Sequence, residues 1–205
     1  MKFSWTSLQI AMIIAFVFFL QTVQPWITND FLLNSAQATQ RPWTFVTSIF
    51  LHGSLEHLAY NLLSLVIFGL VVENIVGKKK FLIIFFASGI FANFLAVFFY
   101  DASLGASGAV FGLIGFLAAI RPKLMVPAFG IPLPVIAAAF LWVLISFAGI
   151  FSPDETAYAA HLGGLVFGFA LGFFLRKNYS ENRVKEKLLS ENEINEWEEQ
   201  YMKNS

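Results

Sequence analysis

The chain has 205 residues, 58% of them apolar and 13% charged, and its formal net charge is zero. Soluble domains run nearer a quarter charged, so the composition indicates a polytopic helical membrane protein. A neutral balance gives no basis for nucleic-acid binding, and the absence of cysteine excludes disulfides, thiolate catalysis and Cys-based zinc sites.

The first predicted span covers residues 6–24. Lys2, the apolar run 10–20 and Ser35-Ala36-Gln37-Ala38 imitate a secretory signal peptide, but seventeen residues separate Leu20 from Ala38. A cleavage site follows its apolar run by only a few residues, so the span is expected to be retained. The connection 21–54 is too long for a tight helix hairpin; Pro25, Trp26, Pro42 and Trp43 suit a segment lying at the outer interface. Further spans are predicted at 55–76, 81–100, 105–120, 130–150 and 157–175. Each approaches the ~20 residues that cross ~30 Å of hydrocarbon as a helix. The fourth is short, bracketed by Asp101 and Arg121, and the fifth carries Pro132 and Pro134 at its inner end, which should leave that end loosely tied.

The connections alternate in charge. Lys78, Lys79 and Lys80 follow the second span, Arg121 and Lys123 the fourth, and Arg176 and Lys177 the sixth. The other connections carry Asp30 and Arg41, then Asp101, then Asp154 and Glu155. The positive-inside rule therefore predicts cytoplasmic N and C termini. Two regions follow: a six-helix membrane domain over 1–176 and a charged cytoplasmic tail over 177–205. Residues 181–199 hold seven glutamates interleaved with Arg183, Lys185 and Lys187. Val184, Leu188, Ile194, Trp197 and Tyr201 keep roughly helical spacing, as in a solvated or interfacial helix.

Ionisable and polar side chains inside a span are costly, so each is a functional candidate. Ser107 lies 14 residues before Arg121, about 21 Å above the inner boundary. His161 lies 15 residues before Arg176, about 22 Å up, and Asn61 lies 17 before Lys78, about 25 Å up. His57 stands one turn above Asn61 on the same face. His52 approaches the second span from the outer connection, where a structural hydrogen bond is its expected role. One layer just under the outer surface thus gathers a serine, two histidines and an amide.

Glycine stripes indicate how these groups meet. Gly164, Gly168 and Gly172 repeat every four residues below His161, and Gly108, Gly112 and Gly115 line the fourth span below Ser107. Small faces let helix backbones approach closely in lipid. A seryl hydroxyl beside an imidazole is a nucleophile–base pair. Gly105 supplies unusual backbone angles at a helix start, whose unpaired N–H groups, with His57 and Asn61, can bind an oxyanion. Plainer roles stay open: serine bonding its own helix, asparagine as interhelical glue, histidine and glycine as packing. Three histidines can also ligate zinc, but H-E-x-x-H is absent. No carboxylate stands at that depth, so a Ser–His dyad is expected rather than a triad. A transporter would carry polar groups along a whole path, whereas the inner halves of these spans are nearly all apolar.

The motifs resemble those of the rhomboid family of intramembrane serine proteases. His52-Gly-Ser-Leu-Glu-His57-Leu-Ala-Tyr-Asn61, Gly105-Ala-Ser107-Gly108, and Ala160-His161-Leu-Gly-Gly164-Leu-Val-Phe-Gly168 are similar to its signatures, as is the pair Glu73 and Gly77. The resemblance implies an all-α polytopic six-helix bundle in which Ser107 attacks a peptide carbonyl and His161 acts as base, then acid. It implies an oxyanion hole from the Ser107 N–H, His57 and Asn61, with Gly105, Gly108, Phe111 and His52 in support. It further implies transmembrane protein substrates in the lipid bilayer, cut near their outer ends, with no metal or other cofactor. The expected location is a bacterial plasma membrane, with the site opening outward through a lateral gate near spans two and five. Oligomeric state stays open. Two positions depart from the pattern: Trp43 is followed by Thr44, with Arg41 two residues earlier, and Phe111 stands where the family often has tyrosine. The alternative is a catalytically silent relative that binds membrane clients.

Overall fold

The computed structural model describes residues 5–152, 156–179 and 199. Asp154 and Glu155 lie outside the described residues, as does the acidic tail apart from Glu199. Among the described residues six apolar helices build the membrane bundle: α1 (Thr6–Val23), α4 (Leu55–Val76), α5 (Lys78–Ala96), α6 (Ser107–Ile120), α7 (Val135–Gly149) and α8 (Tyr158–Tyr179). Two short helices, α2 (Trp26–Phe31) and α3 (Thr44–Thr47), lie in the connection between α1 and α4. α1, α4, α5 and α8 are long and apolar enough to cross a membrane; α6 and α7, with 14 and 15 residues, are shorter. Helical spans suit lipid, because a helix satisfies its backbone donors and acceptors within its own segment.

The shortest helix is the most enclosed. Along α6 nearly every residue from Gly108 to Ile120 is buried, so it is surrounded by protein rather than lipid. At ~1.5 Å per residue its 14 residues rise about 21 Å, well short of ~30 Å of hydrocarbon. By itself α6 does not reach across the hydrocarbon.

Glycine makes the centre. A Cβ on Gly164 would overlap the Gly108 carbonyl oxygen, one on Gly168 the Gly112 carbonyl oxygen, and one on Gly115 the Leu165 carbonyl oxygen. A Cβ on Gly172 would stand 2.7 Å from the Phe116 oxygen. The pairs advance in the same direction along both helices, so α6 and α8 run parallel with their backbones in contact. On the other side of α6, Gly108 admits the Ala92 methyl of α5 and Gly112 the Ser88 side chain. Dispersion and weak C–H···O contacts hold such faces together in lipid.

α1 is attached by a buried carboxylate. Glu73, 1% exposed, accepts from the Thr6 N–H at 2.9 Å and the Ser7 N–H at 2.8 Å. These are donors left unpaired in a first helical turn, and negative charge is favoured there. Four residues later Gly77 turns the chain from α4 into α5 with φ 81°, a backbone region that disfavours a Cβ. α5 begins at Lys78, three residues earlier than the sequence suggested.

The connection between α1 and α4 is ordered by pairing. β1 (Leu33–Asn34) pairs antiparallel with β2 (Ala102–Ser103), which leads into Gly105. Trp26 and Trp43 are half exposed, as interfacial anchors are. Arg41 reaches back to the Asp30 carbonyl oxygen and carboxylate and lies 6.0 Å over the Trp43 ring. The Trp–Arg neighbourhood is thus formed with the order of the two residues altered.

The entry to α7 corrects the sequence reading. Pro132 and Pro134 do not leave it loose. They belong to β4 (Ile131–Pro134), paired in a hairpin with β3 (Met125–Ala128) around Phe129-Gly130. Both tip residues have positive φ, 54° and 80°, which suits the twist of a two-residue hairpin. Val135 N–H bonds to the Leu124 oxygen at 2.8 Å and Ile136 N–H to the Pro122 oxygen at 3.2 Å, tying the start of α7 to the preceding loop.

Gly168→Ala is expected to lower the unfolding midpoint in detergent, because its methyl would displace the Gly112 backbone, at a cost of about 1–3 kcal/mol. Gly53→Ala, whose Cβ would meet only Leu104 at 3.8 Å, serves as the control and should change stability by less than about 0.5 kcal/mol.

Candidate active site

Ser107 is the first residue of α6, and Gly105 before it has φ 118°. That left-handed turn drops the chain abruptly into the helix and leaves the first N–H groups of α6 without intrahelical acceptors. Ser107 Oγ lies 2.8 Å from His161 Nε2, in the first turn of α8. The pairing follows from the glycine register, since each side chain sits beside the first glycine of its stripe.

The His161 ring is held on two sides. Phe111, one turn below Ser107, stacks on it with centroids 4.5 Å apart and planes 7° from parallel. Tyr158 meets it edge-on at 6.1 Å. The start of α8 is fixed by the Tyr100 hydroxyl oxygen, which accepts from the Ala159 N–H at 2.9 Å. Among the described residues no carboxylate is within ion-pair distance of His161.

His57 and Asn61 face the same space from α4. Ser54 caps that helix, its hydroxyl accepting from the His57 N–H at 3.1 Å. Asn61 Nδ2 donates to the His57 carbonyl at 2.9 Å, which uses one amide hydrogen and leaves the other. The His57 ring approaches the α6 entrance so closely that a Cβ on Gly105 would stand 2.8 Å from both Cε1 and Nε2. Gly105 is therefore required twice, for its backbone angle and for this approach. Gly108 packs away from the cavity, against α5 and α8.

A cavity of about 1060 Å³ joins these groups, lined by Ser107, His161, His57, Asn61, Tyr60 and Tyr100. Glu56 and Asp101, both exposed, also line it and mark its mouth. Among the described residues no group of three or more His, Asp or Glu side chains could hold a metal ion.

The family model described as Rhomboid domain matches residues 39–178. The chain belongs to the rhomboid family. Three rhomboid proteases are among its relatives. Rhomboid protease GluP of Bacillus subtilis (strain 168) is 34% identical over 179 residues, covering 82% of this chain and 34% of that protein. Rhomboid protease GlpG of Yersinia pseudotuberculosis serotype I (strain IP32953) is 31% identical over 159 residues, covering 76% of this chain and 55% of that protein. GlpG of Yersinia pestis (strain Pestoides F) matches with the same identity and coverage. This rhomboid thus spans a third to just over half the length of the relatives it matches. Membership makes it an integral membrane protein.

His52 lies deeper in this rhomboid than a loop residue would. It is 2% exposed, and its ring meets His57 edge-to-face at 5.0 Å. The structural hydrogen bond expected of its side chain is not formed, since both buried ring nitrogens are without a hydrogen-bond partner; its backbone is bonded instead, the N–H donating to Gln21 Oε1 at 3.1 Å and the carbonyl accepting from Gln21 Nε2 at 3.3 Å. Gln21 and Tyr158 went unremarked in the sequence. Gln21 is a polar residue in an apolar span, and Tyr158 lies three residues before His161 on one helical face; both signals were present.

Burial, with the neighbouring His57, pushes the His52 imidazole from its ordinary 6.5 down to about 4. An unfolded chain therefore takes up a proton below pH 6.5 that the folded protein refuses until about pH 4. The stability so contributed is complete above pH 6.5 and is lost as pH falls toward 4. Between pH 7 and 4 the wild type should lose up to about 3 kcal/mol more stability in detergent than His52→Phe, read from paired unfolding curves. Parallel curves for the two proteins would contradict this.

Proposed function

We propose that this chain is an intramembrane serine endopeptidase that cleaves transmembrane segments of membrane proteins near their outer ends. The observation that carries the reading is the 2.8 Å contact between Ser107 Oγ and His161 Nε2, at a helix start that opens on a cavity.

In this reading His161 Nε2 accepts the hydroxyl proton as Ser107 Oγ attacks the peptide carbonyl carbon. The carbonyl oxygen becomes an oxyanion facing the Ser107 N–H, the free Asn61 amide hydrogen and the His57 ring. His161 returns the proton to the leaving amine, giving an acyl-enzyme and the first product. Water enters from the mouth, gives a proton to His161 and attacks the ester carbon; as the bond to Ser107 Oγ breaks, His161 returns that proton to Oγ, restoring the hydroxyl and releasing the carboxyl product. The short α6 supports this scheme, since a sunken helix start lets the aqueous phase reach a bond inside the bilayer. Phe111 holds the imidazole by stacking in both steps. The active site opens on the outer face of a bacterial plasma membrane, and both termini are cytoplasmic.

Substrate enters between α4 and α7. Two features support this route: α7 turns Phe140, Leu144 and Phe147 outward, and it meets α4 through the edge-to-face pair Phe68–Trp142 at 6.0 Å. The hairpin ties the first turn of α7, so the movement belongs to the part beyond it.

Ser107→Ala and His161→Ala are each expected to reduce cleavage of a transmembrane substrate by at least about 10³-fold, with fluorophosphonate labelling lost in the first. A labelled protein that cleaves nothing, and a pull-down of uncut clients, would instead favour the silent relative. Because the chain has no native cysteine, Phe68→Cys with Trp142→Cys gives a unique pair for bifunctional cross-linking. Cross-linking should block cleavage of the membrane substrate while leaving fluorophosphonate labelling within about twofold. Unimpaired cleavage would remove this gate.

A further inference from the structure

Gln21 stands at the outer end of α1, 8% exposed, where an apolar residue would be the ordinary occupant. Its side-chain amide pairs with both backbone polar groups of His52, accepting from the N–H at 3.1 Å and donating to the carbonyl at 3.3 Å. This imitates one rung of a β-ladder, with a side chain serving as the neighbouring strand. Because the His52 N–H can only donate and its carbonyl only accept, the amide orientation is fixed by this pair; a third bond runs from Nε2 to Thr28 Oγ1 at 2.9 Å. The amide is fully engaged, and the residue it grips is 31 positions away in sequence.

The grip matters because of what lies behind it. The His52 ring abuts His57 at 5.0 Å with planes 61° apart. His57 also meets the Gly105 backbone, with no room for a methyl between them. The imidazole thus contacts both a wall built by His52 and the entrance of α6. The same outer segment also bonds that entrance directly, since the Ser48 carbonyl accepts from the Gly105 N–H at 2.9 Å. Ser48 is in turn held by Asn93 of α5, whose Nδ2 donates to its hydroxyl at 2.9 Å.

We propose that Gln21 is a positioning residue for the oxyanion site: by clamping the His52 backbone it sets the wall that holds the His57 ring against the Ser107 helix start. The inference rests on the protease reading above. Gln21 touches no reacting atom and acts only through His52 and His57. An oxyanion donor is effective when it is already in place as charge develops, and a ring free to swing loses that advantage in the transition state more than in the ground state. Loosening the clamp should therefore lower kcat and spare KM.

The experiment is a double-mutant cycle on the full chain in detergent or liposomes with a transmembrane substrate. Gln21→Leu keeps the volume and suits a membrane span. It is expected to reduce kcat by about 10–100-fold, less than the roughly 10²–10³-fold loss from His57→Ala, with KM within about twofold. In a His57→Ala background, Gln21→Leu should cost nothing further, because the ring it positions is gone. A kcat within about twofold of wild type overturns the proposal. So does a loss that persists in full in the His57→Ala background, which would mark general destabilisation. Should Gln21→Leu fail to fold, His52→Ala carries the same cycle, and its loss must likewise vanish in His57→Ala. Ser107→Ala separates this test from the underlying reading. If Ser107→Ala still cleaves, the protease reading fails; if it is inactive while Gln21→Leu is fully active, only the clamp fails.

Discussion

The contact of two bare backbones, α6 against α8, governs the rest of the molecule. Gly164 and Gly168 lie on the carbonyl oxygens of Gly108 and Gly112, leaving no space for a side chain. In lipid there is little hydrophobic gain from bringing helices together, so close shape and weak polar contacts must do it. Once the glycines are in register, the side chains above them have no freedom of distance. Ser107 and His161 are the next polar residues toward the N-terminal end of each helix, and they arrive at 2.8 Å. Even one methyl in the stripe would separate the helices and, with them, this pair.

Around that axis the remaining elements act as brackets on particular atoms. The β1–β2 pair delivers the chain to Gly105, whose left-handed turn opens α6. Ser54 caps α4 so that its first turn presents His57 and its second Asn61. Phe111 and Tyr158 confine His161 with ring contacts alone, which orient an imidazole without adding charge to a low-dielectric site. Many bulky side chains, by contrast, such as Phe16, Phe140 and Phe174, stand exposed on the outside of the bundle.

Much of this was legible in the sequence, for physical reasons. A bilayer imposes a length and excludes charge, so the spans stand out as charge-poor runs bounded by basic residues. The rise of a helix is constant, so counting from Arg121 and Arg176 put Ser107 and His161 at one depth. The four-residue repeat of Gly164, Gly168 and Gly172 marked the face of close approach. What sequence does not carry is pairing between distant residues. Nothing local shows that Gln21 grips residue 52, or that Arg41 folds back over Trp43. The hairpin before α7 was hidden differently: Pro132 and Pro134 read as breakers in an apolar run, and Phe129-Gly130 lacks the usual polar turn residue. The roles of Glu73 and Gly77 came from resemblance alone; the structure supplies a reason in the bare N–H groups of α1 and a positive φ.

The two attachments of α1 have a mechanical meaning. Glu73 holds its first turn and Gln21 its last, so the helix is a stave pinned at both ends. With 18 residues it spans about 27 Å, slightly less than typical hydrocarbon. A helix shorter than the hydrocarbon is met by thinning of the lipid around it, not by tilting. Held at both ends, α1 shares that local deformation with the helices that hold it. The thickness of the host membrane is thereby coupled, through a single stiff rod, to the ground on which His52 stands.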